Sequence, residues 1–566
     1  MLFRLTRFSS GTVVLNLQNG GKLLTDRIYS AVGATGSVFF DGGMLGVSSQ
    51  APSLSSGDWL GVQSGSLNLY VRDGGAVIDT ANGGVTIRRP FLRDGASTGG
   101  LTKTGANTLT LLITNANTFC TYVGDTVVSN GTLKLWPSTS PLPVGTRLTV
   151  ASSAALDMNG ATQTVGEVNG EGWIYNSSSS NAVLTVGGDN ASTNFTGIID
   201  GAVSLVKTGA GTLTLSGANT YGNATRVLGG TLQLSPLPVT IINFGFESPA
   251  LTTGEHWSYL TSDGMTGGWK MSGSGGVNIG SGIARNGSPT NAPWLNISPQ
   301  GIQAGYLQGG SYMYQTVTVQ RAGSYQLSFS AANRPNHLSD NVFAHIDNVL
   351  VASWTNSAFA SGGVFATFAT NVDLTVGPHE LRFVGTVATP GGDTATAFDN
   401  IRLVSADASA FGTLPDGTFL EIASGATLEL NGTRQTFSGI SGSGVITNGT
   451  AIVTGTIAPG GTNVIGTLTL ASATSLSGTL LVDTALDESC DLLKVQGGLD
   501  LTGLSLQLQD PNLLKSNTTY VIATCAPGSL TGPFASTNLG VKRSVSYNNT
   551  TGRVLLICRG MLMSVR

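Results

Sequence analysis

Residues 203–234 read VSLVKTGAGTLTLSGANTYGNATRVLGGTLQL, and the fold of most of the chain follows from how this stretch is read. Leu213 and Leu215 alternate with Thr212 and Thr214, a period of two that buries one face of a strand and leaves the other outside. Gly209, Gly211, Gly217, Gly222, Gly229 and Gly230 punctuate the stretch where such strands must turn. The unit recurs. LTKTGANTLTL (101–111) and LVKTGAGTLTL (205–215) agree at nine of eleven positions, and each is followed by an ANT-aromatic segment (116–119 and 218–221) and by GTLKL (131–135) or GTLQL (230–234). A second duplication aligns 142–172 with 414–444 without a gap, fifteen of thirty-one residues being identical at a constant offset of 272. Six residues, 136–141, separate GTLKL from LPVGT in the first copy, whereas about 180 separate Leu234 from Leu414 in the second. A foreign domain therefore reads as inserted at a corner of a solenoid.

Composition agrees with repeated short strands and tight turns. Glycine is 79 of 566 residues and charged residues are 10%, yet the hydrophobic share is 40% and the net charge only −4, which argues against disorder. Lys and Arg are scattered, so no basic patch for nucleic acid is expected. No run of about 18 apolar residues exists, so no transmembrane helix is expected. The start, MLFRLTRFSSGTVVLNLQNGG, lacks the apolar core and small-residue cleavage site of a signal peptide. Cys120, Cys490, Cys525 and Cys558 show no C-x-x-C spacing, which disfavours zinc. Cys525 and Cys558 could pair in an exported protein or remain free.

Three segments follow: 1–238, a β-helix carrying repeats at about 100–135 and 203–234; 239–405, the insert; and 406–566, the continuation of the β-helix with C-terminal strands. The insert holds 18 of the chain's 39 aromatic residues and all four histidines, His256, His337, His345 and His379, enough for a core of its own. Alternating segments at 312–319, 324–330, 342–346 and 379–384 predict a β-sandwich. The expected class is all-β, a right-handed parallel β-helix interrupted by an antiparallel jelly roll.

With KTGAGTLTL, SGANTY and GGTLQL in view, and GGAVIDTANGGVTI (74–87) leading into GGLTKTGANTLTL, the chain resembles the autotransporter-associated β-strand repeat family of bacterial passenger proteins. The resemblance covers about 1–235 and 410–510, and it implies a parallel β-helix displayed at the bacterial cell surface or outside the cell. A translocator barrel needs roughly 250 or more residues of alternating strands, and the chain runs only about 60 past LSLQL (504–508). No C-terminal translocator barrel is therefore expected in it, and the export route stays open.

NFGFESP (243–249), YLQGGSYMYQTVTV (306–319), YQLSFSAANRPN (325–336) and GGDTATAFDNIRL (391–403) are similar to galactose-binding-like jelly rolls, which include several carbohydrate-binding modules. That resemblance implies a structural Ca2+ held by Asn243, Glu247 and Asp399. Two carboxylates plus carbonyls suit the six to eight oxygens calcium takes. The same two carboxylates could instead accept turn amides. Sugar binding needs an aromatic face and a few planar polar groups, for which Trp257, Tyr259, Trp269, Trp294, Arg334 and Asn336 are the candidates. Trp269 and Phe329 also read as core positions, and Arg334 as the partner of a carboxylate.

Catalytic patterns are weak. The solenoid has no histidine and no Asp-Asp pair, and Asp41, Asp73, Asp94 and Asp189 sit beside glycine or asparagine as turn residues do. Asp483, Asp487, Glu488 and Asp491 read as a solvated loop before a strand at 492–495 rather than as a carboxylate-pair or metal site. No G-x-S-x-G elbow is present. The expected function is a non-enzymatic, adhesin-like surface protein whose insert binds glycans or extracellular matrix polysaccharide. The alternatives are a purely structural surface protein and, less favoured, a polysaccharide-active enzyme.

Overall fold

The computed structural model describes residues 2–4, 11–30, 34–48, 58–62, 65–113, 119–136, 140–217, 219–235, 238–239, 241–246, 251, 257–260, 268–272, 274–276, 279–285, 298–299, 303–319, 322–334, 340–359, 363–386, 394–405, 414–461 and 463–559. It is a nearly all-β protein with a parallel β-solenoid of about 17 turns and antiparallel sheets elsewhere. Two units separate, Met1–Ser235 with Phe411–Arg566, and Pro236–Ala410.

Period-two alternation builds the solenoid directly. In one stack, Val85, Leu109, Leu133, Leu156, Ile174 and Ile199 occupy successive parallel strands in register, all of them buried. Each strand buries one face against the coils before and after it, so stability is shared between neighbours. The stretch 203–234 forms two successive coils, Val203–Lys207 with Thr212–Leu215 and then Thr225–Val227 with Thr231–Leu234, the strands of the first pairing in parallel with those of the second. The next coil is supplied by residues nearly 200 positions later, Thr225 pairing with Leu420 and Thr231 with Thr427. Arg226 and Glu421 clamp these two coils through paired contacts of 2.8 and 2.9 Å.

The repeat signature KTGA has a physical cause. Lys103 and Lys207 are buried at 0% and 1% exposure. Lys103 Nζ donates to the carbonyls of Thr104, Gly105 and Asn130 at 2.9, 2.7 and 2.8 Å. Lys207 Nζ donates to those of Thr208, Gly209 and Gly229 at 2.6, 3.0 and 3.2 Å. The turn that aims these carbonyls inward needs Gly105 and Gly209, at φ +80° and +68°. A second shared device is a hydroxyl ladder. Tyr122 meets Thr126, which meets Thr146, at 2.6 and 2.8 Å; Tyr221 meets Thr225, which meets Thr418, at 2.6 and 3.3 Å. Tyr122, not Phe119, is thus the counterpart of Tyr221. The alignment of the two ANT-aromatic segments slips because five extra residues precede GTLKL in the first copy, and Phe119 is left 51% exposed.

Beyond Val445–Pro459, parallel coils continue to Leu504–Leu508. Thr518–Thr524 still pairs in parallel with Leu492–Val495, and Ser536–Asn538 with Leu504–Leu508, before Arg553–Cys558 closes the stack by antiparallel pairing with Thr518–Thr524 and Arg543–Asn548. Of the two alternatives open for Cys525 and Cys558, the structure has them unpaired, and all four cysteines are free. Cys525 N donates to Gly552 O, six positions along the chain from Cys558, roughly 20 Å of strand, against the ~4.4–6.8 Å between Cα atoms that a disulfide allows. The acidic group before Leu492–Val495 is only half solvated. Asp487 and Glu488 are exposed, but Asp483 and Asp491 are buried at 5% and 0%, because the corner needs acceptors for its amides. Asp491 accepts from Gly466 N and Asp483 N at 2.9 and 2.8 Å, and Asp483 accepts from Asn463 N at 2.7 Å.

The other unit is two antiparallel sheets. One runs Trp257–Tyr259, Ile279–Arg285, Gln303–Gln308, Ala395–Ser405, Gly323–Asn333, Ala366–Leu374; the other runs Lys270–Met271, Tyr312–Val319, Gly377–Thr386, Asn341–Ile346, Val349–Trp354. Phe246, Trp269, Phe329, Phe383 and Phe398 belong to its core, with Phe329 5.1 Å from Phe383. First and last segments meet: Val239 pairs with Leu403, and Ile401 N donates to Phe244 O at 3.0 Å.

Candidate functional site

Both sheets of the Pro236–Ala410 unit alternate, so each has a second face pointing away from the shared core. On the larger sheet this face carries Gly282, Ala284, Ala304, Tyr306, Gln308, Ala395 and Ala397, set by the registers Ala284–Ala304, Gly282–Tyr306–Ala397 and Gln308–Ala395. Small residues form a floor from which two tyrosines rise. Tyr259 lies opposite Gly282, its ring 5.9 Å from that of Tyr306 in an edge-on contact, and its hydroxyl donates to Gln308 Oε1 at 2.5 Å. Arg334 N donates to Ala395 O at 3.1 Å. Burial pushes the Tyr306 hydroxyl well above the ordinary tyrosine range, Tyr259 adds to the shift, and the Arg334 charge opposes it. Asp340, which precedes Asn341–Ile346 of the other sheet, is buried at 0%; it accepts from the Thr394 hydroxyl, and its own amide donates to Thr396 Oγ1 at 3.1 Å where Ala395–Ser405 begins.

The expected ligand residues divide. Tyr259 packs against Tyr306, and the Arg334 backbone is tied to Ala395 of the same face. Trp257 opens a strand and its backbone pairs with Ala284. Trp269 does not line a site: it is 1% exposed, stacks on Phe246 at 5.4 Å and donates from Nε1 to Asn243 O at 3.2 Å. Its ring fills the sandwich core, so no face remains for a ligand. Trp294, Asn336 and Glu247 lie outside the described residues. Of the remaining calcium candidates, Asn243 sits in a left-handed turn at φ +52°, and Asp399 is buried at 0% with Oδ1 accepting from Asn400 N at 2.6 Å. Among the described residues no three His, Cys, Asp or Glu side chains gather as a metal group.

The outer face of the smaller sheet holds a surface that the sequence reading missed. Lys270, Tyr314, Arg382, His345 and Leu350 form one cross-strand row, with Tyr312, Val384, Phe343 and Ser353 in the next. The Arg382 guanidinium lies 5.1 and 4.9 Å from the Tyr312 and Tyr314 ring centres, and Lys270 Nζ lies 5.8 Å from that of Tyr314. Glu380 accepts from Arg382 Nε at 2.9 Å, which fixes the guanidinium over the rings. Tyr312 is 37% exposed. The signal was present in YMYQTVTV: tyrosine and threonine fill every second, outward position.

The chain is thus a parallel β-solenoid protein with buried Lys-Thr-Gly corners that carries a separate two-sheet unit. The comparisons agree. Residues 101–135 and 205–234 match the passenger-associated-transport-repeat model. The chain is 32% identical over 205 residues to the adhesin BmaC autotransporter of Brucella suis biovar 1 (strain 1330), a match covering 34% of this chain and 6% of that protein. This chain thus spans only a small part of its curated relative's length. Residues 237–404 match the HpiC1 cyclase family model. Among solved structures, a Stig cyclase from Fischerella sp. TAU in complex with an indole compound is 17% identical, covering 30% of this chain and 97% of that one at a TM-score of 0.25. TmCBM61 in complex with β-1,4-galactotriose is 15% identical, covering 29% and 95% at 0.19. Among the described residues no helix is long and apolar enough to cross a membrane.

Proposed function

We propose that this chain is an adhesin-like passenger of the bacterial cell surface, in which the solenoid is scaffold and the inserted unit binds glycan. The observation that carries the reading is the exposed Tyr312 with its half-buried neighbour Tyr314, held beside Arg382 on a regular sheet. Aromatic faces take the C–H patches of sugar rings and planar polar groups take their hydroxyls. Lys270 and Arg382 against the single Glu380 favour acidic sugars. The curated adhesin relative supports the surface role. A structural Ca2+ would be held by Asn243, Glu247 and Asp399; the buried Asp399 carboxylate and the closeness of the 241–246 turn to the last strand support this.

The test is a glycan array of neutral and acidic sugars probed with the full chain, followed by titration of the best ligand. Tyr312→Ala/Tyr314→Ala is expected to weaken binding at least tenfold, the scale of losing about 1.5–3 kcal/mol of aromatic burial per ring, while Tyr259→Phe leaves it unchanged. Equal binding by the double variant would sink the reading. A second reading, an enzyme of cyclase type, has in its favour the match over 237–404 and the buried Tyr259–Tyr306–Gln308 cluster.

A further inference from the structure

One solenoid corner carries aromatic residues that its twin lacks. Gly131–Leu135, Ala154–Asp157, Trp173–Asn176 and Ile198–Gly201 stack in parallel, placing Thr132, Ala155, Trp173 and Ile198 in one row. Trp173 is 49% exposed. Its ring centre lies 5.8 Å from that of the part-buried Tyr175. Trp173 is therefore braced against this neighbour while remaining open to solvent. Beside it lies a groove of about 420 Å³ lined by Thr132, Ser152, Ser153, Glu171 and Trp173. Gly172 is obligatory at its edge, since a Cβ there would meet Ala151 O at 2.2 Å.

The duplication provides an internal control. At the constant offset of 272, Glu171, Trp173 and Tyr175 become Ser443, Val445 and Thr447. The register is the same, Thr231 pairing with Thr427, Thr427 with Val445 and Val445 with Thr469. The same corner thus closes with valine and threonine, and coil stacking does not require the aromatic pair. An open tryptophan face beside a groove lined by hydroxyls is the combination of aromatic platform and polar groups that a sugar ring needs.

We infer that this groove binds a neutral oligosaccharide, one pyranose ring stacking on Trp173 while the Glu171 carboxylate and the hydroxyls of Thr132 and Ser152 engage its hydroxyls. Charge selects against acidic sugars. Glu171 lines the groove, Asp200 follows in the Tyr175 row, and the nearby Lys134 is neutralised by Asp157 at 2.9 Å. The site lies on the solenoid and does not rest on the reading of the inserted unit.

The experiment uses the full chain carrying Tyr312→Ala/Tyr314→Ala, so that the other face contributes nothing. Cellohexaose, xylohexaose and mannohexaose are titrated by calorimetry, with tetragalacturonate as the acidic control. The expected result is saturable binding of at least one neutral hexaose, weakened tenfold or more by Trp173→Val/Tyr175→Thr, and no binding of tetragalacturonate. That variant installs the residues the twin corner itself uses, and an unchanged circular dichroism spectrum and melting temperature verify its fold. Failure of all three neutral hexaoses to bind, or equal binding by the folded variant, overturns the proposal. A loss seen only with Tyr312 and Tyr314 would sustain the reading of the inserted unit and not this one.

Discussion

Replacing Lys103 with methionine tests why the repeat signature exists. The ammonium makes three hydrogen bonds of 2.7–2.9 Å to buried carbonyls, each worth about 1.5–3 kcal/mol when the donor is charged. Against this stands the burial of the charge, which brings Lys103 down from an ordinary 10.5 to about 8, with Asp79 opposing the shift, a cost of about 3 kcal/mol. The difference leaves about 1–6 kcal/mol, centred near 3 kcal/mol, for the interaction that methionine removes. Stability in a solenoid is local, so the loss appears as faster amide exchange in the coil that contains it. Hydrogen-exchange mass spectrometry should find Leu101–Thr104 and Thr126–Val128 opening about a hundredfold more often in Lys103→Met, with Val203–Lys207 unchanged; Lys207→Met should give the mirror result. A change below threefold, or one spread equally over both repeats, would refute the account. The pH dependence has a fixed sign. Between about 8 and 10.5 the unfolded coil binds the extra proton, so the wild-type coil gains stability as pH rises through that window, and Lys103→Met loses the slope.

Two further outcomes follow. Burial raises Asp491 to about 7, with Asp483 adding to the shift and the amides of Asp483 and Gly466 opposing it. The folded coil therefore holds a proton that the unfolded chain releases above the usual carboxylate range, and local stability around Leu492–Val495 falls as pH rises from about 4 to 7; Asp491→Asn should flatten that profile in exchange measurements, and an unchanged slope would show that another group titrates. For calcium, thermal melting of the full chain with EDTA and with millimolar CaCl2 should separate by several degrees, and Asp399→Asn should abolish the separation; coincident melts would remove calcium from the account.

Period-two alternation and glycine corners made the solenoid legible, because a parallel coil asks little more of a strand than one apolar face, and the 272-residue offset exposed the insertion through simple self-similarity. The roles of individual residues were less accessible. Nothing local distinguishes Trp269, which stacks on Phe246 in a core, from Trp173, which stands 49% exposed at a corner. The same holds for charge: Asp491 reads as part of a solvated loop and nothing local sets Lys103 apart, yet each is buried to satisfy backbone groups contributed by other turns. Phe119 and Tyr122 illustrate the limit most directly, since sequence matching chose the residue after ANT whereas the hydroxyl ladder chose the one that reaches Thr126.

By itself, then, the sequence determined the elements, their repetition and the place where a second unit enters, since these depend on local periodicity and on which residues can turn a chain. Only the tertiary structure decided which aromatics face solvent, which charges are buried and which sheet faces stay open. Those properties depend on what stacks above and below each strand, and the partner of Leu232 is Leu428, contributed from the far side of the insertion.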